Sequence, residues 1–556
     1  MKFKLVVLSI IILAALLRLV KLDGLPPALN WDEVSIGYNA NSILQTGKDE
    51  WGQVMPLSFR AYGDYKLPGY VYLDVPFVGI FGLNEWGVRL PSALLGIGLS
   101  LLTILILKKL SDIHSASWSG FLAAILPWSI ILSRIALEAQ LALFLTTVSF
   151  YFFILSLEKR IFLIFSAISF GLTIFSYNSS RIVTPLLILV LTIIYWSDLK
   201  KIKKTALGAL LIFAVFFGIA LPNALLQDSS ARYKWTTILD QGAINHIDEL
   251  RGSSALPSIL TKISYNRVTY VVPEVIKNYA SHFNPDFLFI DGGSNFQFSV
   301  PGSGLVYPIF IPFLLLGFYQ IFKERQKWQL AILSWLLIAP MPAAITRDSP
   351  HALRAIMMII PLVMIASLGL AKFVEHFHGQ KKMYLIKWSL IGVFLISLIF
   401  FWQSYAGDYT KNYSWSWQYG YKQAVNYIKQ NGNKYQTIYF TKKYGEPHEF
   451  LLFYLGYDPA KYLSDPNLVR YFKSDWYWVD SFDKYVFVND WEVLDRVKNL
   501  ESRVKEASPT ASEQRVKESG VKNLLITTPG NYPAGVKKLE TIDFLNGKPA
   551  FDIVEL

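Results

Sequence analysis

Apolar runs of about twenty residues, separated by short polar loops, fill the chain as far as residue 402. A run of that length crosses the hydrocarbon core of a bilayer as a helix. The pattern predicts about eleven spans, at 3–20, 87–107, 116–132, 138–157, 161–176, 182–197, 205–221, 303–322, 328–345, 352–371 and 384–402. Between the first two, Val34 to Gln45 reads as a helix, and Tyr70 to Phe81 as a short helix lying in the interface. The long loop 222–302 is mixed polar and aromatic, with a turn at Asp291-Gly292-Gly293-Ser294. After residue 403 the pattern becomes that of a soluble domain. Tyr421 to Gln430 has helical periodicity, His448 to Gly456 reads as a short helix, and Tyr435 to Phe440 and Leu524 to Thr528 as strands. Leu539–Phe544 and Ala550–Val554, split by Asn546-Gly547, predict a hairpin. Val504 to Val521 reads as a solvated helix or loop. The expected architecture is a polytopic α-helical membrane domain, residues 1–402, followed by a soluble extracytoplasmic α/β domain, residues 403–556.

Charge orients this arrangement. Lys2 and Lys4, Lys108-Lys109, Lys159-Arg160, Lys200-Lys201 with Lys203-Lys204, Lys323 with Arg325 and Lys327, and Lys372 with Lys381-Lys382 all fall in alternate loops. The positive-inside bias assigns that side to the cytoplasm. The N-terminus is then inside, and the residues after 403 lie outside an inner or plasma membrane. Leu22-Asp23-Gly24-Leu25-Pro26 is a poor cleavage site, so the first segment reads as a retained span. The charged fraction, 17%, falls well below the ~25% of a soluble protein. The net charge of +12 lies mostly in the short loops, which argues for topology and against nucleic acid as a partner. The chain has no cysteine, which excludes disulfides, thiolate nucleophiles and Cys-based metal sites.

The unusual polar groups fall in the outer loops. Asp32 and Glu33 follow the first span and open a helix, where acidic residues are favourable in any case. A carboxylate there is also positioned as a general base for an acceptor hydroxyl or amine attacking an anomeric carbon, with Asp32 as base and Glu33 shaping the site. Lys66 is either a snorkelling interfacial lysine or a cation for a donor phosphate. Arg134 and Glu138 have i,i+4 spacing at the border of the fourth span; they could form a salt bridge on one helix face or serve function at a costly position. Arg181 lies outside, against the usual bias, as a loop charge or a phosphate partner. Asp348-Ser349-Pro350 reads as the start of the tenth span, with His351 and Arg354 one turn apart, to bind phosphate or hold a loop. His246, His282 and His448 have no partner spacing for a metal. Trp415, Trp417, Trp476 and Trp478 could stack on sugar or pack a core. Nucleotide loops, HExxH and GxSxG are absent from the sequence.

The order Trp31-Asp32-Glu33, Lys66-Leu67-Pro68, Arg89-Leu90-Pro91-Ser92, then Ser133-Arg134 with Glu138 resembles the GT-C superfamily of membrane glycosyltransferases. The protein O-mannosyltransferases and the lipid A aminoarabinose transferases are the nearest in pattern. The resemblance is strongest over the first 200 residues. It implies inverting transfer of a hexose or pentose from a polyprenyl-phosphate donor to an acceptor lipid, glycan or protein at the outer face. Asp32 matches the family's catalytic acid and Glu138 its second-loop acid. Lys66 matches a lysine linked to the donor phosphate, in a motif that here has Leu67 in place of a proline. Arg134, Arg181, His351 and Arg354 are further donor-phosphate candidates.

Two other readings compete. An O-antigen-ligase or polymerase-like enzyme acting on a pyrophosphate-linked glycan would use His351, Arg354, Arg181 and the 222–302 loop, and would not need Asp32. A transporter or scaffold would tolerate the loss of Asp32, Lys66 and Glu138 together. Expected partners are the lipid-linked donor, an acceptor and membrane lipids. No cofactor is expected, although Asp32, Glu33 and Glu138 could form a weak oxygen site for magnesium or manganese.

Overall fold

The computed structural model describes residues 2–223, 236–377, 382–495 and 522–556. The segment Val504 to Val521, read above as solvated, lies outside them. The helices up to residue 194 are α1 (Lys2–Leu19), α2 (Trp31–Thr46), α3 (Pro68–Phe81), α4 (Glu85–Leu110), α5 (Ile113–Ile125), α6 (Pro127–Ser133), α7 (Glu138–Ser156), α8 (Phe162–Thr173) and α9 (Ser180–Ile194). Five helices among the described residues are long and apolar enough to cross a membrane: Glu85–Leu110, Glu138–Ser156, Trp196–Pro222, Ile356–Glu375 and Met383–Asn412. A sixth is added if α5 and α6, bent by 56°, form one broken span. The other expected spans are helical but shorter, with 12 residues in α8 and 15 in α9. At about 1.5 Å per residue such helices fall short of a ~30 Å core, so length and composition alone do not assign all of the expected spans.

The chain divides into two units. One comprises Met1–Val20, Leu67–Tyr70 and Leu90–Tyr405; the other comprises Lys21–Lys66, Val71–Arg89 and Ala406–Leu556. The second unit therefore takes in most of residues 21–86, in addition to the segment after about residue 403 that the sequence marks off.

In the helical unit, glycines let backbones touch. A β-carbon at Gly369 would lie 2.0 Å from the Phe313 carbonyl oxygen, and one at Gly317 would lie 2.1 Å from that of Ile365. The helices Phe310–Glu324 and Ile359–Glu375 thus pack at a separation that only small residues permit. The bend between α5 and α6 follows from Pro127, which has no N–H for the Ala123 carbonyl. Fully buried Arg18 of α1 replaces it, donating to Ala123 O at 3.2 Å, Ala124 O at 3.0 Å and Ser129 Oγ at 2.8 Å. The Tyr307 hydroxyl donates to Ile125 O at 2.8 Å. Carbonyls freed at the break are thereby satisfied away from water.

The 222–302 loop holds the helices Gln241–Gly252, Ser258–Ser264 and Arg267–Ser281, which the sequence reading did not resolve. Asp240 caps the first through Ala243 N at 2.9 Å, and Asn266 caps the third through Val268 N at 2.9 Å. The tenth span also differs from expectation. Helix starts at Ile356 and not at Ser349, because Arg354 N–H donates to His351 Nδ1 at 3.3 Å and Arg354 Nη1 to Thr346 Oγ1 at 2.8 Å. These local bonds close a turn in competition with helix.

The second unit is built on a seven-stranded mixed sheet whose strands lie in the order Val469–Lys473, Trp476–Phe482, Tyr485–Val488, Thr437–Thr441, Asn523–Thr527, Pro549–Glu555 and Lys537–Asp543. Its strands are β3 (Thr437–Thr441), β4 (Val469–Lys473), β5 (Trp476–Phe482), β6 (Tyr485–Val488), β7 (Asn523–Thr527), β8 (Lys537–Asp543) and β9 (Pro549–Glu555). Central β3 is parallel to both β6 and β7; the other pairings are antiparallel, including the expected β8–β9 hairpin. Buried Ile438, Phe440, Leu524, Ile526, Phe551 and Ile553 form its inner layer. The predicted helices appear at Tyr421–Asn431 and Pro447–Leu455, joined by the Tyr421 and Phe450 rings, stacked 4.1 Å apart. Helix α2 packs on Pro447–Leu455, and Gly37 permits the approach: a β-carbon there would lie 2.5 Å from the Phe453 ring. The sheet thus supports the helix that bears Asp32.

Candidate active site

Asp32 lies in the first turn of α2, whose N-terminus is closed by a reciprocal cap. The Asn30 side chain accepts Glu33 N–H at 2.9 Å, and Glu33 Oε2 accepts Asn30 N–H at 3.2 Å. Further bonds fix the approach to this turn. Trp31 N–H donates to Gln418 Oε1 at 2.8 Å, and the Tyr62 hydroxyl donates to Trp31 O at 2.7 Å.

Lys66 reaches Asp32 from a short hairpin, β1 (Phe59–Arg60) and β2 (Tyr65–Lys66), in which Lys66 pairs with Phe59. Its ammonium forms a salt bridge with Asp32 Oδ1 and lies 5.8 Å from the centroid of the Tyr62 ring. The Asp32 side chain keeps 39% of its surface exposed, against 14% for Lys66. A mostly covered cation paired with a half-open carboxylate can exchange that carboxylate for a phosphate.

Glu33 is placed differently. It is fully buried, and Arg89 grips it with Nε to Oε1 at 2.8 Å and Nη2 to Oε2 at 3.0 Å. The other Arg89 donors reach Leu22 O at 3.1 Å, Pro26 O at 2.9 Å and Ala28 O at 2.6 Å. Glu33 and Arg89 therefore tie the entry of the loop to the head of α2. In the same unit Asp74 of α3 is fully buried, with neither carboxylate oxygen hydrogen-bonded. Neither Arg89 as an anchor nor Asp74 stood out in the sequence.

Glu138, Arg134, Arg181, His351 and Arg354 belong to the helical unit. Glu138 is the first residue of α7, where the helix dipole favours a carboxylate. The continuous helix face expected for Arg134 and Glu138 is broken, since α6 ends at Ser133 and α7 begins at Glu138. Buried Arg134 donates to Leu17 O and Val20 O, both at 2.8 Å, and so caps the end of α1. Arg181 Nη1 donates to Asn178 Oδ1 at 3.0 Å. Arg354 also lies 3.6 Å from Asp348. His351 has an unexpected neighbour: its N–H donates to His282 Nε2 at 3.2 Å, while His282 Nδ1 contacts Asn278 O at 2.8 Å. Burial pulls His282 down to about 4, so the ring is neutral at physiological pH.

Among the tryptophans, Trp417 is core, donating to the Tyr409 hydroxyl at 2.7 Å, and Trp415 is exposed. Trp476 stacks on Tyr62 at 5.9 Å and donates to Glu446 Oε1 at 2.7 Å. Trp478 lies 6.1 Å from Trp476. Beneath α2, Glu50, His448 and Glu449 form a buried cluster whose ligand-type atoms all lie within 4.8 Å of one another. Burial raises Glu50 to about 7, lifts Glu449 well above the carboxylate range, and lowers His448 to about 3.

Comparison with known proteins supports the same fold. A family model described as dolichyl-phosphate-mannose-protein mannosyltransferase matches residues 67–220. The crystal structure of ArnT from Cupriavidus metallidurans bound to undecaprenyl phosphate aligns over 99% of this chain and 97% of its own, with a TM-score of 0.53 and 12% identity. Its apo state gives a TM-score of 0.51 over the same shares, also at 12% identity. The Archaeoglobus fulgidus oligosaccharyltransferase tethered to an acceptor peptide aligns over 95% of this chain and 69% of its own, with a TM-score of 0.51 and 13% identity. No curated protein matches by sequence. The family match and the shared fold establish the GT-C likeness drawn from the motifs, in an integral membrane protein with a C-terminal sheet domain.

Proposed function

We infer that the chain is an inverting glycosyltransferase that moves a sugar from a polyprenyl-phosphate donor to an acceptor at the outer face of the membrane. The observation that carries this reading is the Asp32–Lys66 ion pair at the head of α2, in a fold shared with a protein crystallised with undecaprenyl phosphate. The donor phosphate draws Lys66 from Asp32 and takes its charge. Asp32, relieved of the cation, removes the proton from the acceptor hydroxyl or amine. The acceptor atom attacks the anomeric carbon on the face opposite the phosphate. The anomeric C–O bond breaks with its electron pair moving to the phosphate oxygen, and polyprenyl phosphate leaves as the dianion beside Lys66.

Glu138 is a candidate second acid for orienting the acceptor. Arg134, engaged with carbonyls of α1, and Arg354, engaged with Thr346, fit positioning roles better than direct phosphate contact. The orientation is part of the same proposal: N-terminus cytoplasmic, sheet domain outside. Labelled-sugar transfer in membranes, run against a panel of polyprenyl-phosphate hexoses and pentoses, tests the reading and names the sugar. Transfer from one donor supports it; transfer only from pyrophosphate-linked glycans moves the chemistry to the ligase class.

A further inference from the structure

Glu50 lies in the turn that Gly52 N–H closes on Asp49 O shortly after α2, and His448 and Glu449 are in the first turn of the helix Pro447–Leu455. Glu50 is far in sequence from the adjacent His448 and Glu449, yet the three side chains face one another inside the second unit. All are nine-tenths or more buried. Glu50 Oε2 and Glu449 Oε2 are buried with no N–H or O–H donor to either, and the two carboxyls lie close enough to share a proton or a cation. His448 Nε2 lies 3.8 Å from Glu449 Oε1, too far for a hydrogen bond but suited to two ligands of one ion.

The surroundings are those of a held ligand set. Asn39 of α2 donates to Glu50 Oε1 at 3.1 Å and accepts Glu50 N–H at 3.0 Å, fixing that carboxylate. His448 Nδ1 lies 3.5 Å from Glu446 Oε2, and Glu446 is fixed in turn by Trp476 Nε1 at 2.7 Å. A carboxylate behind the far nitrogen of an imidazole orients that ring for a metal and raises its basicity. Ionised together, two carboxylates this close inside the protein require a compensating charge, which a bound cation supplies. The nearby Lys442 is committed to Asp480, and Arg470 to the Glu50 and Trp51 carbonyls at 2.9 and 3.4 Å.

We propose that Glu50, His448 and Glu449 bind one divalent transition-metal cation, best matched by zinc, which fastens the loop bearing Asp32 and Lys66 to the sheet domain. Imidazole with two carboxylates suits zinc over magnesium, which prefers six oxygen ligands and retains its water. Three protein ligands leave a position for a second carboxylate oxygen or a water. Ser35 and Asn39, three and seven residues after Asp32 on α2, lie on the side of the helix that this cluster supports.

The test uses the full-length protein in detergent, stripped with a chelator, dialysed, and titrated with zinc chloride while bound metal is counted by mass spectrometry and melting is followed. The expected result is one zinc per chain, a higher melting temperature on addition, and no displacement by excess magnesium. Glu50→Gln and His448→Gln should each weaken binding at least ~100-fold, and the milder Glu446→Gln, one shell out, by ~10-fold. The Glu446→Gln arm keeps the test informative should a ligand variant fail to fold. Folded wild type that takes up no zinc overturns the proposal and leaves the two carboxyls sharing a proton. Binding that is unchanged in Glu446→Gln and Glu50→Gln overturns it as well, because the metal then sits elsewhere.

Discussion

Arg89 holds Glu33 in a two-point grip, at 2.8 and 3.0 Å, across 56 positions of sequence and with both side chains fully buried. The pair fixes the first turn of α2 and therefore the direction in which Asp32 projects. Arg89→Lys keeps the charge but loses the fork that reaches both oxygens and three carbonyls. Breaking such a pair costs about 3–5 kcal/mol. Arg89→Lys and Glu33→Gln should both lower the melting temperature and reduce transfer together. A Glu33→Gln protein with full stability and no transfer would instead make Glu33 a direct participant.

Lys66 is expected to act on the donor. Lys66→Met should raise the KM for a polyprenyl-phosphate sugar and lower kcat, with a combined loss of about 100-fold, while melting stays within a few degrees. Steady-state kinetics with varied donor check this. An unchanged KM would return Lys66 to the role of a snorkelling interfacial lysine.

Gly37 sets how closely α2 lies on the helix Pro447–Leu455. A β-carbon 2.5 Å from the Phe453 ring and 2.6 Å from Val88 must push one of them aside. Gly37→Ala should destabilise by about 1–3 kcal/mol. The double variant Gly37→Ala/Phe453→Leu should recover part of that loss, as thermal unfolding of both proteins would reveal.

Histidine 282 predicts a pH dependence. Burial holds its folded-state pKa down at about 4, against an ordinary value of 6.5. Between those values the unfolded chain takes up the proton first, so the histidine's contribution to stability is full above about 6.5 and is lost as pH falls toward 4. The difference in melting temperature between wild type and His282→Asn should therefore shrink from pH 7.5 to pH 4.5. A difference that is constant across that range would contradict a buried neutral ring bonded to the backbone of His351.

The sequence made local order legible and long-range partnership largely illegible. Hydrophobic periodicity located α2, the helices at Tyr421 and Pro447, strands β3 and β7, and the β8–β9 hairpin, because each rests on spacing within a few residues. The 222–302 helices were missed although Gln241–Gly252 and Arg267–Ser281 run 12 and 15 residues behind the capping residues Asp240 and Asn266, because their polar faces give no membrane-span signal. Asp32 and Lys66 stood out by their motifs, but their ion pair depends on a two-strand hairpin with no strong pattern. His448 was dismissed for lack of neighbouring ligands; its neighbour Glu50 lies in another loop, where no spacing rule reaches. Arg18 sits in the last turn of α1, and its role follows from a carbonyl that Pro127 exposes in a different helix.

The most direct test of the whole account is transfer of labelled sugar from a polyprenyl-phosphate donor by wild type and Asp32→Asn, each purified and matched by melting temperature. Asparagine keeps the shape and the hydrogen-bonding reach of the side chain but cannot accept the acceptor's proton. The account predicts transfer by wild type and a loss of at least ~1,000-fold in the variant, with donor binding retained. Equal rates in the two proteins would contradict it, and Asp32 would then be no more than the acidic first turn of a well-capped helix.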